Sequence, residues 1–284
     1  MVKTIGNPLS WAFNALGTTG SHIADTTAHL AQAEAEMPEI RKISLGDLRT
    51  ALRLDYADFT ASRTDVMFLC LLYPVMGLLL AGFGLNLNLL PLLFPLAAGF
   101  ALLGPLTAVG LYEISRRREA GLPANWGSAF GVMASPSFGA IVLLGLCLIA
   151  VFLVWMMVAY WIFALTLGPE PPVSASAFLS AALGTSAGWV MMIAGLGVGF
   201  VFALVVLAMS VVSFPLLLHR PVGVPGAIIT SIRVARKNPV EIGTWGAIVA
   251  TGLVLGSIPM LIGLIVVMPV LGHATWHLYR RAVV

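Results

Sequence analysis

Charge is scarce in this sequence. Only 10% of the 284 residues are Asp, Glu, Lys or Arg, and 59% are hydrophobic, whereas globular proteins carry about 25% charged residues. The shortage is concentrated in stretches that contain no charged residue and no histidine, which are 66–112, 137–169, 171–218 and 242–272. Because about 20 apolar residues span the bilayer core as a helix, the chain is predicted to be an integral membrane protein.

The apolar stretches also decide the fold class. Backbone groups inside a membrane must be hydrogen-bonded within the protein, which leaves helices or a closed barrel. Barrel strands alternate apolar and polar residues, and these stretches do not alternate. The sequence therefore predicts an all-α fold, a polytopic transmembrane helical bundle.

Cysteine and leader signals are scarce as well. Cys70 and Cys147 each lie in an apolar stretch, so no disulfide and no metal pair is predicted. Residues 1–36 contain no apolar segment followed by a small-residue cleavage site, and no removable signal peptide is predicted. The net charge of +3 is too small to indicate nucleic-acid binding.

Breaks in the apolar stretches predict six spans in three hairpins. The spans are predicted near 66–83, 89–112, 138–167, 190–214, 243–256 and 259–276. The last stretch also fits one long tilted helix, which would give five spans, since each arm of a hairpin there would be short for a bilayer. Charge favours six, because the 15 Lys and Arg form four groups and only six crossings leave all four on the cytoplasmic side. Both termini are then predicted to be cytoplasmic.

Interfacial helices are predicted on the same side. Residues 1–42 are expected to be a mobile or weakly helical extension of the transmembrane domain, 43–284. A helix in the headgroup plane is predicted next, from apolar residues at helical spacing, with Ser44 and Asp47 as its capping pair; these apolar residues are Leu45, Leu48, Leu52, Tyr56 and Phe59. A second surface helix should end before Asn238, with isoleucines forming one face, namely Ile228, Ile229 and Ile232.

Small and basic residues give the candidate contact sites. Six glycines stand in pairs four residues apart and are predicted to pack helices of the bundle, or else to support self-association or docking of another membrane protein: Gly184, Gly188, Gly195, Gly199, Gly252 and Gly256. Six cations are predicted to contact anionic headgroups of the lipid bilayer: Arg116, Arg117, Arg118, Arg233, Arg236 and Lys237. Prolines in the spans could kink helices around a cavity.

Histidine and acidic motifs offer little chemistry. His273 and His277 share a helix face and are weak metal candidates, although an interfacial role beside Trp276 and Tyr279 is favoured. No catalytic or cofactor site is predicted, and the chain is not expected to be an enzyme. Ion-coupled transport usually needs an ionisable group at membrane depth, which the apolar stretches lack.

Two segments repeat loosely. Residues 104–117 and 268–281 each contain Pro, small residues, an aromatic residue and an arginine pair. A surface helix plus a hairpin used three times would explain this repeat, as would chance in an apolar sequence.

Several segments resemble a known family. They are 43–59, Tyr73-Pro74, 98–105, 110–117 and 272–280. Together they resemble an uncharacterised bacterial integral-membrane family, a domain of unknown function that is sometimes labelled cytochrome c oxidase subunit I-like. The resemblance runs from about residue 43 to the end, implies a location in the bacterial inner membrane and implies no activity.

The expected function is therefore a non-catalytic accessory or scaffold subunit of a membrane complex. The alternative is a channel or facilitator for a small or lipid-like solute. A respiratory oxidase-associated subunit is the remote alternative, because a haem-copper subunit needs several histidines at membrane depth.

Overall fold

The computed structural model describes residues 38–54, 70–86 and 89–284. Within these ranges the regular secondary structure is helical, and the one extended pairing is a single antiparallel bridge between Ile40 and Val283. The predicted all-α helical bundle is confirmed. Residues 1–37, Tyr56 and Phe59 of the predicted surface helix, and 66–69 of the first predicted span lie outside the described residues.

The described helices lie in the following order along the chain. They are α1 (45–54), α2 (Leu72–Asn86), α3 (Leu93–Leu102), α4 (Gly104–Thr107), α5 (Val109–Glu119), α6 (Phe138–Thr166), α7 (Ala175–Gly184), α8 (Ser186–Ser210), α9 (Ser213–His219), α10 (Gly223–Lys237), α11 (Pro239–Ser257) and α12 (Leu264–Ala282). Two 3-10 helices, Leu90–Leu92 and Trp126–Ala134, precede α3 and α6.

Among the described residues, three helices are long and apolar enough to cross a membrane by length and composition. They are Phe138–Thr166, Ser186–His219 and Pro239–Ser257. The first has 29 residues, which at 1.5 Å per residue exceeds the ~30 Å of a hydrocarbon core. Shorter apolar helices accompany them at Tyr73–Gly82, Leu90–Leu102 and Ala175–Gly184.

The second predicted span is not one helix. The stretch 89–112 is divided into a 3-10 turn, α3, α4 and the start of α5. Pro91 and Pro105 each stand in the first two positions of a new helical segment, because proline has no N–H to continue the preceding ladder. The Pro95 carbonyl accepts a hydrogen bond of 2.8 Å from Trp155 Nε1 on α6. This hydrogen bond ties α3 to α6.

The connector and the fourth span also differ from the prediction. An unpredicted helix, α7, begins where the Ser174 hydroxyl accepts from the Ala177 N–H at 3.1 Å. The next helix, α8, begins at Ser186, with Thr185 Oγ1 accepting from the Gly188 N–H at 3.0 Å, and ends at Ser210 before the short α9. Serine and threonine are preferred at such caps because they satisfy exposed N–H groups.

The last apolar stretch forms a hairpin and not one long helix. The turn covers 258–263, where Met260 and Leu261 have positive φ angles of 54° and 66°. A Cβ added at Gly256 would lie 2.9 Å from Leu264 Cδ2, so the two arms pack closely beside the turn. The arms, α11 and α12, are longer than the predicted spans near 243–256 and 259–276, since α11 begins at Pro239 and α12 continues to Ala282.

The described residues before α1 are extended, without a helix, and are hydrogen-bonded to distant parts of the chain. The Arg41 N–H donates to the Ala282 carbonyl at 2.9 Å, and the Val284 N–H donates to the Glu39 carbonyl at 3.0 Å. Asn238, which is fully buried, accepts from the Ile43 N–H at 2.9 Å. We call residues 38–43 the strap.

The structure contains a helix at each of the two predicted surface positions, α1 and α10. The capping pair of α1 is confirmed, since Ser44 N–H donates to Asp47 Oδ2 at 2.8 Å and Asp47 N–H to Ser44 Oγ at 3.3 Å. The isoleucines of α10 lie outside its buried face, and Ile229 is 43% exposed. The buried face carries smaller residues, Val224, Ala227, Thr230, Ser231 and Val234, which allow α10 to lie close to α9.

Candidate functional site

The four basic groups of the sequence lie within 3–63, 116–118, 220–237 and 280–281. Where the structure describes these segments, they meet at one end of the bundle. Arg281 Nη1 lies 3.1 Å from Asp47 Oδ1, and Arg280 Nε lies 2.9 Å from Glu119 Oε1. The Arg220 guanidinium donates to the Val284 carbonyl at 2.8 Å, and Lys237 donates to the strap. These contacts join residues far apart in sequence, and we call this end of the bundle the base.

The hydrogen bonds of Asp47 favour its charged form. Its carboxylate accepts from the side chain and backbone of Ser44, which is the main reason that its pKa lies below the ordinary value. Arg281 adds a smaller contribution in the same direction, while burial opposes it. Asp47 therefore both caps α1 and holds the end of α12.

Glu113 fixes two of the predicted headgroup cations. Its side chain is 3% exposed and accepts from Arg116 Nε and Nη2, both at 2.7 Å. Arg117 Nη1 lies 3.9 Å from the same carboxylate, and Arg117 Nε donates to the Pro123 carbonyl at 2.9 Å. These two arginines therefore make contacts within the chain in addition to any contact with lipid.

Glu119 joins α5 to α12 and was not predicted as a site residue. It accepts from Trp276 Nε1 and Arg280 Nε, each at 2.9 Å. Burial of the carboxyl alone would raise its pKa, but the hydrogen bonds from Trp276 and Arg280 outweigh burial, and the pKa of Glu119 falls below its ordinary value. The only sequence signal was its place beside the arginine cluster 116–118.

His273 is a buried residue and not an interfacial one, which corrects the favoured interpretation. It is 0% exposed, and its Nδ1 lies 2.6 Å from Ser115 Oγ on α5. His277 is only partly buried. The part of the chain that the structure describes holds no group of three or more His, Cys, Asp or Glu that could bind a metal. A buried His273–Ser115 pair thus forms part of the α5–α12 contact.

The two loosely repeated segments pack against each other. A Cβ at Gly272 would lie 2.5 Å from Leu111 Cδ1, and one at Gly104 would lie 4.0 Å from Met268 Cε. Close by, Trp276 contacts the rings of His219 and Tyr279, with centroids 5.9 and 5.5 Å away. The similar sequence pattern therefore coincides with a close helix pair.

The space beside the kinked helices is filled. The Leu106 side chain beside Pro105 would lie 2.7 Å from a Cβ at Gly145 on α6. Trp155 reaches Pro95, as described above, and is 2% exposed. At these two prolines the broken helix packs against α6.

The six candidate glycines fall into three classes. Gly199 faces Trp155, whose Cη2 would lie 3.0 Å from an added Cβ, and Gly252 and Gly256 face α12. A Cβ at Gly188 would meet the Ala182 carbonyl, so this glycine closes the turn between α7 and α8. Added Cβ atoms at Gly184 and Gly195 would have no neighbour within 4 Å in the described structure. Neither residue packs against another described helix.

Two concave surfaces lie among the described residues. A polar pocket of about 570 Å³ lies between the strap and the C-terminal end of α10, and the lining side chains are Pro38, Glu39, Ile40, Arg233, Arg236 and Lys237. An apolar groove of about 320 Å³ separates α6 from α8, lined by Ala150, Val151, Val154, Val201, Phe202 and Val205. The first pocket brings together half of the predicted headgroup cations.

The family resemblance is confirmed over the centre of the chain. No curated protein and no solved structure matches the sequence. A family model does match residues 93–219, from α3 to α9. Over these residues the chain is similar to the family described as a predicted integral membrane protein, DUF2189.

Proposed function

We propose that this integral membrane protein is a non-catalytic accessory or scaffold subunit that presents α8 to another membrane protein of the bacterial inner membrane. The observation that carries the proposal is the exposure of α8. Only 6% of the most apolar window in Ser186–His219 is buried inside the chain, compared with 28% for Phe138–Thr166. Of the three long apolar helices among the described residues, this one is the most exposed, and it offers its surface to lipid or to a partner.

The chemistry of that surface supports a protein partner. Gly195 and Gly197 are open, with no atom within 4 Å of an added Cβ, and large exposed side chains flank them, Ile193 and Phe200 among them. In membranes, helices associate through van der Waals packing, and small residues let two backbones approach closely. Open glycines beside large side chains offer such a surface.

The interior gives less support to a channel or facilitator. Near Pro95 and Pro105 the kinks are packed against α6, and at the base the buried Glu113 and Ser115 are bonded to other side chains. Side chains engaged with one another would have to separate before they could line a polar path. An oxidase role has similarly little support, since His273 contacts Ser115.

The contacts at the base support six crossings with both termini in the cytoplasm. Segments near 47, 119, 220 and 281 lie together at one end, so the chain crosses the membrane an even number of times between them. Since cytoplasmic loops are enriched in Lys and Arg, the base is the cytoplasmic end.

Cysteine labelling tests this topology. Val173 is 96% exposed in the connector after α6, and Leu122 is 48% exposed after α5. In intact cells a membrane-impermeant maleimide should label Val173→Cys, and should label Leu122→Cys only after permeabilisation. The reverse pattern would contradict the proposed orientation.

Co-purification tests the scaffold role. The protein is extracted in a gentle, lipid-preserving detergent and its complexes are weighed by native mass spectrometry. A stoichiometric membrane protein should accompany the wild-type chain, and Gly195→Leu should reduce its recovery at least tenfold, because the added side chain prevents close approach. Gly243→Leu is the matched control, since Gly243 of α11 is also open, and it should retain the partner. Isolation of the wild type as a lone monomer would reject the proposal.

A further inference from the structure

We propose that the polar pocket between the strap and α10 binds the phosphate group of one anionic phospholipid. The pocket is lined by three cations, Arg233, Arg236 and Lys237, and by one carboxylate, Glu39. It therefore keeps a net positive charge. Its volume of about 570 Å³ lies within the usual range for small-molecule pockets, roughly 300–1,000 Å³, and admits a phosphate with its attached glycerol.

Helix-dipole compensation does not account for three cations. The C-terminal end of a helix carries about half a negative charge, which a single lysine or arginine offsets. Lys237 already stands in the last turn of α10. Arg236 stands in the last turn as well, and Arg233 also lines the pocket, so the lining carries more positive charge than the helix end offsets.

The walls of the pocket are fixed in place. Lys237 Nζ donates to the Ile40 carbonyl at 2.6 Å, and Asn238 Nδ2 donates to the Arg41 carbonyl at 3.1 Å. An ammonium group has three donors, so Lys237 can hold the strap and still donate to a ligand. Guanidinium groups suit phosphate because their planar fork donates two parallel hydrogen bonds.

The position of the pocket selects a lipid over a soluble anion. The candidate span Pro239–Ser257 begins two residues after Lys237, so the pocket lies at the depth of the lipid headgroups. Val240, at the start of that span, is 65% exposed and provides an apolar contact for an acyl chain. A phosphate at this depth belongs to a phospholipid.

Native mass spectrometry in detergent micelles tests the site, because a neutral micelle lacks the general attraction of a charged membrane surface. The wild-type protein should retain one molecule of dioleoylphosphatidylglycerol and should not retain dioleoylphosphatidylcholine. Arg233→Gln with Arg236→Gln should weaken retention roughly 30-fold, about 2 kcal/mol at 1.4 kcal/mol per tenfold. Equal retention of both lipids by the wild type would overturn the proposal.

Two further variants distinguish a specific binding site from a general effect of positive charge. Arg49→Gln with Arg53→Gln removes the same charge from exposed positions of α1 and should leave retention unchanged; an equal loss would overturn the proposal. Arg233→Lys with Arg236→Lys should restore most of the binding. Inorganic phosphate should not displace the lipid at millimolar concentration, and displacement would overturn the lipid assignment. Because the measurement uses the chain alone, its failure leaves the scaffold proposal untouched.

Discussion

The base and α8 show opposite uses of the same chain. At the base, polar and aromatic side chains from α1, α5, α9 and α12 are bonded to one another across large sequence separations. Along α8, apolar side chains and open glycines face outward with little cover. The comparison indicates that the base stabilises the bundle, whereas α8 is available for association in the membrane.

Two tryptophans give the largest expected difference between these regions. Trp276 is 1% exposed at the base and donates to Glu119, whereas Trp189 is 53% exposed on α8 and donates to the Leu183 carbonyl. Trp276→Ala should lower the free energy of unfolding by about 3 kcal/mol or more, as for other buried tryptophans. Trp189→Ala should lower it by less than about 1 kcal/mol. Denaturant titration in one detergent measures both. Equal losses of the free energy of unfolding in the two variants would contradict the distinction between the base and α8.

Breaking the strap should have the next largest effect. Asn238→Ala removes the acceptor of the Ile43 N–H and the donor to the Arg41 carbonyl, leaving two backbone groups without a partner at about 1–3 kcal/mol each when buried. Hydrogen exchange of amides 39–43 should accelerate at least tenfold. Asn125→Ala, which removes the cap of the 3-10 helix Trp126–Ala134, is the control and should leave these amides unchanged.

Lowering the pH should weaken the contacts at the base of the bundle. The folded-state pKa values of Asp47 and Glu119 lie below their ordinary values, so their stabilisation is present above about pH 4 to 5 and is lost as pH falls through the folded-state values. The thermal midpoint should therefore decline on acidification. Glu119→Gln should flatten that decline, while Glu170→Gln, in the connector beyond α6, should not. An unchanged slope in Glu119→Gln would contradict this assignment.

The Asp47–Arg281 pair should give the smallest effect. Both side chains are about one-third exposed, at 32% and 30%, and exposed ion pairs contribute below about 1 kcal/mol. Arg281→Gln should shift the unfolding midpoint only slightly, and the shift should vanish at 1 M salt because of screening. A loss as large as that of Trp276→Ala would show that the pair is a principal contact.

Local features were predictable from the sequence, and long-range ones were not. The apolar stretches predict helices, Ser44 and Asp47 predict a cap, and the Asn238-Pro239 step predicts the end of α10, because each depends on neighbouring residues. The contact of Glu119 with Arg280 depends on which helices meet, and apolar periodicity does not encode that. The inner face of α10 could not be predicted for a different reason: beside a membrane the larger apolar side chains can face lipid, so size no longer marks the inner face.

The proline-broken stretch 89–112 shows the same limit. Prolines predict a kink, but the number of segments depends on partners such as Trp155, which donates to the Pro95 carbonyl from α6. The polar pocket also could not be predicted, since its opposite walls are the strap and α10, and Ile40 and Lys237 stand 197 residues apart.

The bridge between Ile40 and Val283 has a consequence for the order of folding. The strap is synthesised before the helices of the bundle, whereas two of its hydrogen-bonding partners, Ala282 and Val284, lie at the end of α12 or just after it. Closing a loop of that length costs chain entropy, so the hairpins must assemble first and bring the two segments together. The base is therefore completed last, after the helices between its two segments have packed together.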